Sequence, residues 1–437
     1  MSDYMFMLDS HLSGEQTRAL AEVREAAEQS SLNLFLTGGA MRDMMAGFPI
    51  RDLDFTLEGP AVKFAKALAK RVGAEILAVD EGRKAVEMRF PANVTVSIGM
   101  AREERYTRPA SKPQVLPATI HEDLHGRDFT IDAIALSLGK ASRGLLLDPT
   151  NGLGDLSRRE LRTITTHTLY DDPARILRMI RLQVRLGFNI EERTLSQYRA
   201  LREARLETKI STSALQHEFR EIAFDPLAGD ILKTLEDEKL LSLFSPASSG
   251  LKLNLQGFQK LQKARQLMPF GSPLVVNSYS LFLFLLLEKL TPKERAQLVA
   301  SAGVAKADLD LGMKLEARAR KVEKELATAK LQRPSALYSA LSKVPGELLL
   351  FLLIRSNQRL VLDRIKNYLQ KYLPAAQEIT EREVIEQGGQ PGTAKFAKLY
   401  QQLVASRLDA RPKKVLVEEP SLPPPPPAGR RSASFGR

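Results

Sequence analysis

The stretch from Leu34 to Gly59 reads LFLTGGAMRDMMAGFPIRDLDFTLEG, and few folds accommodate it. An apolar run, Leu32–Thr37, stops at Gly38 and Gly39, and a short helical stretch, Ala40–Ala46, follows. Asp52–Leu57 then alternates, with Leu53, Phe55 and Leu57 on one face of a strand and Asp52, Asp54 and Thr56 on the other. Two carboxylates side by side on a strand repel each other unless a cation lies between them or one keeps its proton. Hard oxygen donors of this kind suit Mg²⁺, which takes one or two carboxylates together with substrate phosphates. Alone, Asp-x-Asp is equally a solvated turn beside Arg51. The preceding residues supply the context. Gly38 and Gly39 let backbone come close to a phosphate, and the helix after them presents free N–H groups. Arg42, in the first turn, is placed to clamp a triphosphate. A tight turn with a surface arginine is the plainer account of those three residues. The combination points to a nucleoside triphosphate held by Gly38, Gly39 and Arg42, with Mg²⁺ on Asp52 and Asp54. That is the apparatus of nucleotidyl transfer.

The surrounding pattern is α/β. Glu75–Val79, Ala85–Phe90 and Val94–Met100 read as strands and Pro60 to Val72 as a helix. Arg102 to Ile120, rich in proline and charge, reads as a long mobile loop. Phe129–Leu138 fits a strand or a helix. From about Leu161 strand signals fade. Helical periodicity fits Pro173–Leu186, Glu192–Ala204, Thr212–Ala223 and most of Ser280–Tyr372. The end, EEPSLPPPPPAGRRSASFGR, is crowded with proline and is expected to be a disordered basic tail.

Composition narrows the function classes. The formal net charge of +12 asks for a polyanionic partner, either nucleic acid or an anionic membrane surface. The absence of cysteine excludes disulfides, thiolate metal sites and cysteine nucleophiles, and fits a reducing cytoplasm. MSDYMFMLDS lacks the pattern of a signal peptide. The longest apolar runs, Leu281–Leu287 and Leu348–Ile354, fall short of the roughly 20 residues a membrane span needs and read as buried helix segments. A cytoplasmic protein without a membrane partner is expected. Oligomeric state is not encoded in any feature of the sequence.

Four segments, in order, resemble one family. LTGGAMRDMMAGFPIRDLDF is similar to the signature of class II tRNA nucleotidyltransferases and bacterial poly(A) polymerases, of the polymerase-beta-like superfamily. HEDLHGRDFTIDAIAL (His121–Leu136), LLDPTNGLGDLSRRELRTI (Leu146–Ile164) and DDPARILRMIRLQVRLGF (Asp171–Phe188) resemble its later motifs. The resemblance covers roughly residues 30 to 190. It implies an α/β head of polymerase-beta-like nucleotidyltransferase type, followed by a long all-helical body and the disordered tail. The divisions are an N-terminal lead-in at 1–30, the head at 31–160, a nucleotide-selecting neck at 161–225, a tRNA-binding helical body at 226–415 and the tail at 416–437. The activity implied is template-independent addition of CCA to the 3′ end of tRNA from CTP and ATP. Poly(A) synthesis, partial CC or A addition, and a catalytically weak RNA-binding relative are the alternatives.

By the same resemblance Gly39, Arg42 and Arg127 contact the incoming nucleotide, with Gly38 in the same turn, and Asp52 and Asp54 bind Mg²⁺. Asp128 shapes the segment of Arg127. Asp172 and Arg175 read the base edge, with Arg178 and Arg181 in support or on phosphate. The residues themselves are compatible with this. Asp172 before Pro173 suits a helix start, and a carboxylate beside a guanidinium matches the donor and acceptor pattern of cytosine or adenine. The four arginines from Arg175 to Arg185 equally suit an ordinary capped helix with a basic solvated face.

The sequence departs from the family at three positions. Ser97 stands where a third acid is usual, with Glu87 on the preceding strand as a possible substitute. Gly126 replaces a common arginine, and Asp132 a common asparagine. The segment Arg102 to Asp128 keeps full length, which leans toward complete CCA addition. None of the five histidines precedes aspartate, so the His-Asp phosphohydrolase domain of some relatives is not expected.

Overall fold

In the computed structural model the described residues are 3–410, apart from 248, 270, 271 and 273. The expected proline-rich tail, 416–437, lies outside them. Nine strands belong to the N-terminal part: β1 Asn33–Thr37, β2 Leu53–Glu58, β3 Glu75–Asp80, β4 Ala85–Phe90, β5 Val94–Met100, β6 Arg102–Arg105, β7 Gln114–Pro117, β8 Ala135–Ser137 and β9 Leu146–Leu147. Seven form one mixed sheet in the order β3-β4-β5-β2-β1-β8-β9. Only β2 and β5 pair in parallel; the other neighbours are antiparallel. The alternation read in the sequence is realised in β2. Leu53, Phe55 and Leu57 are buried, and on their side of the sheet lie Val96 and Ile98 of β5. The helix Ala61–Val72 packs on β4 and β5 with Phe64, Ala65 and Leu68 buried. This face is the core that holds the opposite, carboxylate-bearing face in place.

Two expectations are revised. Arg102 to Ile120 is not simply a mobile loop, because β6 and β7 pair within it from Arg102↔Pro117 to Arg105↔Gln114. Arg102-Glu103-Glu104-Arg105 carries no apolar alternation, so nothing in the pattern announces a strand. Its charges are met by ion pairs instead, Arg102 with Glu104 and Arg105 with Glu103 inside the strand, and Glu104 also with the distant Arg83 and Arg175. Phe129–Leu138 is neither one strand nor one helix: a 3₁₀ turn at Thr130–Asp132 precedes the short β8.

The chain divides into two compact units. Residues 1–262 with 277–316 make the first, and residues 263–276 with 317–437 the second. In the first, the sheet is followed by helices at Arg175–Leu186, Glu192–Glu203, Thr212–Phe224 and Ala228–Asp237. The apolar run near Leu281 is the buried helix Ser278–Leu287. The second unit is helical. In it Ala375, Ala376, Val384, Val404 and Leu408 form a core closed by Tyr338 and Tyr400. The long helical region expected over Ser280–Tyr372 is cut into several helices, two of which start on a proline, Pro292 and Pro334, where a missing N–H costs nothing. No single helix among the described residues is long and apolar enough to cross a membrane.

Candidate active site

The turn between β1 and the helix Gly38–Met45 is built around missing side chains. Gly38 has φ +61°, in the left-handed region. A Cβ on Gly39 would stand 3.1 Å from Oδ2 of Asp54 and 3.4 Å from Arg42. The helix that follows has Thr37 at its N-cap without a side-chain cap bond, because the Thr37 hydroxyl is paired with that of Thr56 at 2.9 Å. Its first N–H groups are therefore uncapped beside the Asp54 carboxylate, an arrangement suited to a bound anion.

Asp54 is crowded by charge. Burial, reinforced by the neighbouring Asp52, outweighs Arg42, Arg127 and Arg178 and pushes its carboxyl up to about 7. Asp52 sits at the open end of the strand. Although its surface is exposed, desolvation by the surrounding protein raises it as well, against the pull of Arg51 and a hydrogen bond from Thr95. A doubly charged cation would relieve this repulsion. Among the described residues no group of three or more His, Asp or Glu side chains is arranged to hold a metal ion. The two carboxylates are a hard oxygen donor set that a divalent ion completing its shell with phosphate and water would accept. Ser97 is the direct partner of Asp54 across β2 and β5, and Glu87 is the partner of Ser97 across β4 and β5. Glu87 is therefore two strands from Asp54, roughly 10 Å at the usual strand spacing.

The arginines named from the sequence divide into three settings. Arg127 reaches the Gly38 turn and Asp54, held by Asp123 at 2.8 Å, the Thr56 hydroxyl at 2.9 Å and the Asp132 carbonyl at 3.0 Å. Arg42 is buried and already bound by carboxylates, with Asp43 at 2.9 Å and Asp132 at 2.5 Å. Arg178 completes the arrangement from the helix Arg175–Leu186, at 3.0 Å from Asp128 and 2.9 Å from Asp132. The Asp132 carboxylate thus lies between two guanidiniums. Burial alone would raise it, but Arg42 and Arg178 hold it well below the ordinary range. Arg181 lies apart, buried against Glu218 at 3.0 Å and Glu221 at 3.3 Å of the helix Thr212–Phe224. Arg185 binds Asp43 at 2.5 Å. The plainer alternative of a basic solvated helix face does not hold, because Arg178, Arg181 and Arg185 are paired with acids.

Asp172 and Arg175 stand together in a second cluster. Asp172 accepts from the Ala174 N–H at 3.1 Å and from Arg83 at 3.3 Å. Arg175 lies 3.9 Å from Glu104, which also accepts from Arg102 at 2.9 Å and from the Tyr106 hydroxyl at 2.8 Å. Burial would raise Glu104, yet Arg102 and Arg83 hold it below its usual value. Glu104, Arg83, Asp43 and Asp132 as a carboxylate hub were not foreseen as site residues. Only Asp132 left a trace in the sequence, as a departure from the family pattern.

A glycine turn at an uncapped helix N-terminus, facing paired aspartates on a mixed sheet, defines a polymerase-beta-like nucleotidyltransferase head. Comparison with known proteins agrees. Residues 34–162 match the poly A polymerase head domain. An A-adding tRNA nucleotidyltransferase of Halalkalibacterium halodurans is 31% identical over 260 residues, 58% of this chain and 61% of that protein. A CC-adding tRNA nucleotidyltransferase of Deinococcus radiodurans is 34% identical over 192 residues, 42% of this chain and 51% of that one. The chain thus spans less than two thirds of either relative. Among solved structures a CCA-adding enzyme in its apo form II shares the fold, at TM-score 0.52 and 20% identity over 94% of this chain and 96% of the other. Residues 34–162 thus carry a poly A polymerase head domain, and the chain is similar to tRNA nucleotidyltransferases, as its four ordered motifs indicated.

Proposed function

We propose that this chain is a template-independent RNA nucleotidyltransferase that extends the 3′ end of tRNA from CTP and ATP, releasing pyrophosphate. The observation that carries the reading is the Asp52–Asp54 pair facing the uncapped helix start at Gly38 and Gly39. Asp52 and Asp54 would hold Mg²⁺, which when bound activates the attacking hydroxyl and stabilises the leaving pyrophosphate. The backbone N–H groups after Gly38, with Arg127, bind the triphosphate. Arg42 and Arg178 act from behind through Asp132, keeping positive potential on the site. Asp172 and Arg175 offer an acceptor and a donor to the edge of the incoming base, so that the protein itself selects it. Arg181 braces the selecting helix against Glu218.

Complete CCA addition is the finer reading, supported by the full-length segment between Arg102 and Asp128. Relatives that add only A or only CC make partial addition its direct competitor. A catalytically weak RNA-binding protein is favoured by one observation, the serine at position 97 opposite Asp54. One assay separates these. tRNA transcripts ending before CCA, after C, or after CC receive labelled CTP, ATP or both with Mg²⁺. Ordered addition that stops at CCA is expected. Addition of A alone, of CC alone or of long A tails reassigns the product. Tight tRNA binding without incorporation identifies the inactive relative.

The base-reading role has its own test. Arg175→Ala is expected to lower discrimination between CTP and ATP by roughly tenfold or more, the worth of one charged hydrogen bond. Unchanged discrimination, with a uniform drop in rate, would remove Arg175 from base selection.

A further inference from the structure

Beside the Glu104 cluster a groove of about 490 Å³ opens between the segment after β6 and the short helix Thr168–Asp171. Its walls include Tyr106, Arg108, Pro109, His167 and Tyr170. The two sides are joined where the Ala110 N–H donates to the Tyr170 carbonyl at 3.0 Å. The Tyr106 ring is fixed by its hydroxyl, which donates to Glu104, the acid next to Arg175. Arg108 is exposed, and its guanidinium has no ion-pair partner among the described residues. Asp171 is the one acid in the lining. Desolvation raises its carboxyl above the ordinary value, against the pull of Arg175 and His167.

Two tyrosines and an exposed arginine lining one groove supply what a single-stranded nucleic acid end requires, stacking for the base and a cation for the phosphate. We infer that this groove is the subsite for the 3′-terminal nucleotide of the RNA, its base lying against Tyr170 and Tyr106 and its phosphate on Arg108. The incoming nucleotide is accounted for elsewhere, by Gly38, Asp52 and Asp54 at its phosphates and by Asp172 and Arg175 at its base, and none of these lines the groove. The RNA end, whose hydroxyl attacks, has to lie next to that nucleotide, and the groove adjoins its base-reading pair. The inference rests on the proposed nucleotidyl transfer for the identity of the RNA.

The test uses the full chain and a tRNA acceptor-stem minihelix ending in 2-aminopurine. Binding, without nucleotide or Mg²⁺, is expected to quench the fluorophore. Tyr170→Ala and Arg108→Ala should abolish or weaken that quench, and Tyr170→Phe should restore it, because the ring and not the hydroxyl is required. In turnover, the alanine variants should raise KM for RNA roughly five- to a hundredfold, the equivalent of about 1–3 kcal/mol of stacking, with KM for CTP and ATP within twofold of wild type. Unquenched binding by the wild-type chain overturns the inference. So does a rise in KM for nucleotide rather than RNA, which would make the groove the incoming base's own pocket. Should the chain bind and quench but incorporate nothing, the catalytic reading fails and the RNA subsite stands.

Discussion

Asp54→Asn is expected to abolish nucleotide incorporation while making the protein harder to melt. Two arguments converge on this residue. In the reaction, one of two carboxylates that hold the cation is lost, and several kcal/mol of charge stabilisation go with it. That corresponds to roughly a thousandfold or more in rate. In the fold, the same carboxylate is half-buried against Gly39 and beside Asp52, and desolvation with the Asp52 charge raises its carboxyl from 3.8 to about 7. A carboxyl raised in the native state contributes stability that is complete below pH 3.8 and lost as pH rises through 7. At pH 8 the ionised form therefore costs on the order of 4 kcal/mol relative to a neutral group. Asparagine keeps the shape and removes the charge. With chelator present at pH 8, the Tm of the variant should exceed that of the wild type. Addition of Mg²⁺ should raise the wild-type Tm and leave the variant nearly unmoved. A variant that incorporates nucleotide at the wild-type rate would place the reaction elsewhere. A variant that melts lower would make Asp54 a support for the glycine turn instead of a strained metal ligand.

What could be read from the sequence was whatever is local and periodic. The alternation of Leu53, Phe55 and Leu57 with Asp52, Asp54 and Thr56 fixes a strand and its two faces, and Gly38-Gly39 fixes where the preceding strand must turn. Both features are short-range, so the glycine turn and the carboxylate pair were legible together. The partners of the arginines were not. Arg42 meets Asp132 90 positions away, and Arg185 meets Asp43 across 142 positions. A helix with arginines near every third residue looks like a solvated basic face until the acids opposite are known. The hairpin of β6 and β7 escaped notice for a related reason. Its residues form ion pairs rather than an apolar alternation, and Glu104 gains its meaning from the distant Arg83 and Arg175 as well as from Arg102 beside it. Ser97 and Glu87 were visible as an anomaly, but only the pairing of the strands shows that Glu87 lies one strand too far out to stand directly beside Asp54.

Asp132→Ala is expected to be among the most destabilising single substitutions in the first unit. The side chain is almost completely buried, and its two oxygens face Arg42 at 2.5 Å and Arg178 at 2.9 Å. Alanine leaves the buried Arg42 with only Asp43 and the half-buried Arg178 with only Asp128 as carboxylate partner. Removing one member of such a buried network costs ~3–5 kcal/mol, because the remaining charges lose compensation they cannot regain from water. Denaturant titration monitored by circular dichroism should show the loss as a lower midpoint with an unchanged slope. Asp132→Asn keeps an acceptor oxygen and the volume, so it should cost less than alanine. The pH response separates charge from shape. A carboxyl held below its ordinary value contributes stability present above about pH 4 and lost as pH falls toward its native value. The gap between wild type and Asp132→Asn should therefore be largest at neutral pH and shrink on acidification below pH 4. A gap that stays constant across that range would mean that the carboxylate serves by its geometry alone. Equal stability of all three proteins would show that Asp43 and Asp128 suffice to neutralise Arg42 and Arg178.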